Sequence, residues 1–156
     1  MRSRPMAIGG IAAALLLTAC GGGGATSKKS APPGTKASRP SVKYVVTMTG
    51  RGETPAGAAN GVGVAIIALH DSVNKVCWRF SHLHGFVGAT YAHIHQGAKG
   101  KSGPIVIPLS TASKLHHAGC VTASATLLAA IAKDPSAYYV NVHSVRYPQG
   151  AVRAQL

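Results

Sequence analysis

Short runs with an apolar residue at every second position, cut by turn residues, set the main limit on what this chain can become. Val42, Tyr44, Val46 and Met48 alternate with Lys43, Val45, Thr47 and Thr49, and Val76, Trp78 and Phe80 alternate with Lys75, Cys77 and Arg79. A two-residue period is that of a strand with one face on a core. Gly61 to Leu69 is a continuous apolar run, and its length and its Val64, Ile66 and Ile67 fit a buried strand. Asp71-Ser72-Val73-Asn74 between the second and third runs is turn chemistry, so a hairpin is expected there. Further strands are expected over 90–95 and 104–109, separated by the Gly-rich stretch Gln96 to Gly103. A last hairpin is expected over 137–143 and 150–156, with Pro148-Gln149-Gly150 near its turn. Only Ser124 to Lys133 breaks the pattern. Leu127, Leu128 and Ile131 fall at helical spacing, Ser124 can cap the first turn, and Asp134-Pro135 stops it. Seven or eight short strands and one short helix imply an all-β sandwich. No βαβ alternation, GxGxxG or P-loop is visible.

The first 41 residues belong to something else. Arg2 and Arg4 precede a stretch of about ten apolar residues from Ile8 to Leu17, too short for a span of ~20. The stretch ends in Leu17-Thr18-Ala19-Cys20, which resembles a bacterial lipobox. That resemblance implies a signal peptide over 1–19, cleavage before Cys20, and lipidation of the Cys20 thiol. Residues 20–41 then read as a lipid-anchored flexible linker, opening with Gly21 to Gly24 and rich in Ser, Thr, Pro and Lys. The expected location is the extracytoplasmic face of the cell membrane, held by the anchor. Residues 42–156 remain to build one folded domain.

Charge narrows the chemistry. Sixteen Lys and Arg face three acids, Glu53, Asp71 and Asp134. So few carboxylates argue against an acid–base enzyme built on a carboxylate pair. Residues 42–156 carry ten Lys and Arg against those three acids, a formal +7 that can attract polyanions such as lipid headgroups or wall polymer. Export and thin aromatic content speak against nucleic acid as the partner. With Cys20 taken by lipid, Cys77 and Cys120 remain, and two cysteines left over in an exported domain usually pair. Cys77 is expected on the face opposite Val76, Trp78 and Phe80, so the bridge should lie away from the core, pinning the loop before the helix.

Eight histidines are many for 156 residues. Most are scattered, but His93-Ile94-His95 puts two imidazoles on one face of a strand, beside Tyr91. In Tyr139-Val140-Asn141-Val142-His143, the pair Val140 and Val142 should face the core, leaving His143 on the opposite face with Asn141 and Tyr139. If the two strands lie close, the three rings converge. The segments Ala92-His93-Ile94-His95-Gln96-Gly97, Gly100, Gly103-Pro104-Ile105-Val106, Tyr138 to Ser144, and Pro148, Gly150-Ala151-Val152-Arg153 with Gln155-Leu156 together resemble the CHRD domain over roughly 42–156. One departure is Ala154, where that family usually has Gly. The resemblance implies an all-β fold: an immunoglobulin-like or Cu,Zn superoxide dismutase-like β-sandwich or barrel with one short helix. The immunoglobulin Cys–Trp pattern itself is missing, since Cys77 and Trp78 are adjacent.

The first expectation for function is a non-catalytic binding or structural module, anchored at the membrane, with an extracytoplasmic protein or a polyanion as partner. In that reading His93, His95 and His143 hydrogen-bond loop carbonyls and hold the Gly-rich loop. Two alternatives stand beside it: a Cu- or Zn-binding protein using His93, His95 and His143 as ligands, and a polyanion-binding cell-surface protein. Superoxide dismutase-like catalysis is not expected, because Gln96 to Pro104 is short and holds neither acid nor His. Gly97, Gly100 and Gly103 are expected to serve tight backbone geometry.

Overall fold

A computed structural model describes residues 41–156. The N-terminal signal, Cys20 and nearly all of the linker lie outside the described residues. Eight strands and one helix follow in order: β1 (Val42–Thr49), β2 (Val62–His70), β3 (Lys75–His84), β4 (Ala89–Gln96), β5 (Ile105–Ser110), β6 (Ala118–Thr122), α1 (Ala125–Lys133), β7 (Tyr138–Ser144) and β8 (Val152–Gln155). They form one antiparallel sheet in the order β5-β4-β7-β8-β1-β2-β3-β6. The two edge strands approach each other, and in the segment that joins them the His116 N–H donates to Ser110 Oγ at 3.0 Å. The sheet is therefore a nearly closed all-β barrel, a shape that hides edge strands from further pairing.

The interior is apolar because the two-residue period sends it there. Met48, Ile67, Leu69, Val76, Trp78, Phe80, Ile94, Val140, Val142 and Val152 are all buried in one cluster. Burying a side chain of this size contributes roughly 1.5–3 kcal/mol. The Gly61–Leu69 run proves to be one-sided: Ala65, Ile67 and Leu69 are buried while Val64 and Ile66 are only half-buried. The Ser124 hydroxyl accepts from the Leu127 N–H at 3.2 Å and starts α1, which buries Leu128 and Ile131. Tyr44 on β1 donates to the Ile131 carbonyl at 3.3 Å and ties the helix to the sheet.

Cys77 and Cys120 are disulfide-bonded. They stand directly opposite each other on β3 and β6, on the outer side of the barrel, so the bridge links two strands and not the loop before the helix. β6 is the one strand the hydrophobic period does not reveal. It is five residues long with three of them exposed, and it carries Gly119, where a Cβ would lie 2.6 Å from the Trp78 ring.

β7 departs most from the simple pattern, because all seven of its residues are buried. Its inner face meets the barrel core. Its outer face, Tyr139, Asn141 and His143, is covered by the loops at 50–58, 97–103 and 145–150. Three hydrogen bonds show how that cover is fixed: Ser102 Oγ to Thr54 O at 2.7 Å, Ala58 N to Ala151 O at 2.9 Å, and Gly97 N to Ala137 O at 2.7 Å. The result is a second, polar layer outside the apolar one.

Candidate metal centre

Backbone register brings the histidines together. β4 and β7 pair with His93 opposite Asn141 and His95 opposite Tyr139. Inward-facing Ala92 and Ile94 are fully buried, which turns His93 and His95 to the outer layer. His143, two residues beyond Asn141, joins the same face. One nitrogen from each of His93, His95 and His143 lies within 4.8 Å of the others, and His93 Nδ1 is 3.0 Å from His143 Nε2. Ring centroids are 4.9 Å apart for His93 and His143 and 5.6 Å for His93 and His95. His95 and His143 are each 8% exposed, while His93 is half-buried at the rim beside exposed Tyr91.

The loops fix the orientation of two rings. His95 Nδ1 meets the Gly103 carbonyl at 2.9 Å, and His143 Nδ1 meets the Pro148 carbonyl at 2.9 Å. A carbonyl only accepts, so each Nδ1 carries the proton and each Nε2 of the neutral ring is left with a lone pair. His95 Nε2 is buried and has no hydrogen-bond partner. Gly103 is what lets its carbonyl come this close, since a Cβ there would sit 1.7 Å from the Gln96 oxygen. His95 also stacks on Tyr139 (4.6 Å, 5° between planes), and the Arg153 guanidinium carbon lies 3.3 Å from the centre of the other ring face. Arg153 in turn donates to the Ala98 and Lys101 carbonyls, both at 3.0 Å, clamping the Gly-rich loop.

Electrostatics keep the rings neutral. Burial, then the neighbouring imidazoles of His143 and His95, push His93 down to about 4. Burial also lowers His95 and His143, against the pull of their carbonyl bonds. His143 Nε2 accepts from the His93 Nδ1–H at 3.0 Å, and once that proton moves to the other nitrogen of His93, three neutral imidazoles offer the lone pairs that Zn or Cu takes as ligands. A Nδ1–H held by a backbone carbonyl is the usual outer support of such a ligand.

Of the other histidines, His82, His84, His116 and His117 are exposed and His70 is half-buried, all outside the cluster. Glu53, Arg153 and the role of Tyr139 do not stand out from residue spacing. Glu53 is buried between the loops and Arg153 is 3% exposed. Two signals were legible: an acid in a strongly basic domain, and an Arg set directly after the apolar pair Ala151-Val152. No curated protein and no solved structure matched the chain. A model of the CHRD domain matches residues 44–156, which takes in every strand of the barrel except the first residues of β1, together with all three rings; the chain belongs to the CHRD domain family.

Proposed function

We propose that this chain is a membrane-anchored, extracytoplasmic binding module without catalytic turnover, and that its ligand is a Cu or Zn ion held by His93, His95 and His143. One observation carries the reading: His95 and His143 have their Nδ1 protons committed to loop carbonyls, and the Nε2 lone pair of His95 is buried and unpartnered beside two more imidazoles. An orphaned buried acceptor costs about 1–3 kcal/mol, and an ion would satisfy it. The anchor at Cys20 and the surface location rest on the lipobox-like segment.

Calorimetric titration of the purified protein with Zn and Cu tests this. Binding tighter than about micromolar is expected, with one ion per chain, lost in a His93→Ala/His95→Ala variant. Absent binding, or binding unchanged in that variant, refutes it. In that event the second reading stands, in which His95 and His143 serve only to brace the loops through Gly103 and Pro148. The same variant would then lose stability alone.

A further inference from the structure

Behind Asn141, which touches the rings, lies a carboxyl group that ligation does not use. Glu53 follows β1, is 6% exposed, and has no hydrogen-bond partner at Oε1. Gly150 packs onto it so tightly that a Cβ there would lie 2.2 Å from Oε1. The groups facing it are Arg153 from β8, Asn141 from β7 and the Thr54 backbone. The Arg153 guanidinium is already engaged with Ala98, Lys101 and Gln155.

Asn141 links this acid to the centre. Its side chain is 1% exposed, bonds Glu53 on one side, and reaches His143 Nε2 (3.2 Å) and His95 on the other. With Oδ1 turned to the rings, the amide oxygen opposes imidazole lone pairs. A cation held by the rings would turn that opposition into attraction. Without a cation, a half-turn of the amide gives the lone pairs an N–H donor and turns Oδ1 toward Glu53. A carbonyl facing a carboxyl requires the carboxyl to carry its proton.

We propose that Glu53 is the counter-charge of the metal centre: protonated and donating to Asn141 Oδ1 when the rings hold no ion, ionised and accepting from the Asn141 amide when a dication is bound. The inference rests on the metal reading above. In the step, the Glu53 O–H bond breaks, the proton leaves to solvent, and Asn141 turns its oxygen toward the ion; no electron is transferred. Burial raises the Glu53 carboxyl to about 7 despite Arg153 and the Asn141 bond, which is consistent with a proton held at mildly acidic pH.

Glu53 is the sole glutamate of the chain, so glutamate labelled with carbon-13 at its carboxyl reports on it alone. The full chain at pH 6 is titrated with zinc chloride, with calorimetry for binding and the labelled carbon for ionisation. Zinc binding should move the Glu53 signal from its protonated to its ionised position. Repeating the calorimetry in buffers of different ionisation enthalpy should give about nine-tenths of a proton released per zinc at pH 6 and about one-tenth at pH 8. Zinc binding that leaves the signal protonated overturns the role of Glu53 and spares the metal centre. No zinc binding overturns the centre and this inference with it. In Glu53→Gln the proton release at pH 6 should vanish, and zinc affinity should fall about tenfold; an unchanged proton count refutes the proposal.

Discussion

Acid should act on this protein through two buried groups of opposite sign. His93 is held down to about 4 in the folded chain, below its ordinary 6.5, so the unfolded chain takes up the proton first. The stability tied to neutral His93 is complete above pH 6.5 and is lost as pH falls toward 4. Glu53 is raised from 4.5 to about 7, so the folded chain holds its proton longer. Its contribution is complete below pH 4.5 and is lost as pH rises through 7. At about 1.4 kcal/mol per pH unit each displacement corresponds to at most about 3.5 kcal/mol. Solvent at the half-buried His93 ring reduces its share to about 2 kcal/mol. His95 and His143, lowered by burial, act in the same direction as His93. Between pH 4.5 and 7 the two effects nearly offset, and the wild-type profile should be shallow. Glu53→Gln removes one side of the balance, so its stability should climb by about 2–4 kcal/mol from pH 4.5 to 7. His93→Gln removes part of the other, and its stability should fall over the same range. Urea unfolding in chelator-treated buffer, with the disulfide intact and salt fixed, measures all three profiles. Parallel curves for wild type and Glu53→Gln would show that the carboxyl does not keep its proton in the fold.

Three further substitutions test separate parts of the architecture. Cys77→Ala/Cys120→Ala opens a bridge spanning 43 residues, and urea unfolding should show a loss of about 3–4 kcal/mol, at the upper end of what chain entropy allows. Gly150→Ala places a methyl group 2.2 Å from Glu53 Oε1 at a residue whose φ is +136°; melting should show a loss of about 2 kcal/mol or more, and zinc titration a weaker affinity. Ser124→Ala removes the cap bond to the Leu127 N–H, and the same melts should show about 1 kcal/mol lost with zinc affinity unchanged.

The barrel was legible where side chains alternate. β1, the first half of β3 and the helix start at Ser124 follow from period and cap chemistry alone. β6 was not legible, because a five-residue edge strand carrying Gly119 and Cys120 has no hydrophobic period to read; register with β3 and the Cys77 bridge define it. The co-facial placement of His93 and His95 came from the strand period, but their convergence with His143 depends on β4 pairing with β7, which no local pattern encodes. Glu53 was harder still. It lies on a loop, and its burial comes from Gly150 and the cover of distant segments.

Packing alone does not account for the polar layer. An outer face of β7 built from apolar residues would bury well under the same loops, and replacing buried charged or polar networks with apolar ones is often neutral or stabilising. Much of the layer is well satisfied: Arg153 spends its donors on Ala98, Lys101 and Gln155, and the Gln155 amide donates to Gly97 and Ser136. Within it, the buried side-chain atoms left without a partner among the described residues are His95 Nε2 and Glu53 Oε1. One is a lone pair beside two other imidazoles and the other an acid, and Asn141 joins them. Bracing the loops uses Nδ1 of His95 and of His143 and neither of those two atoms. A site that took up a cation and balanced its charge, as proposed, would use both.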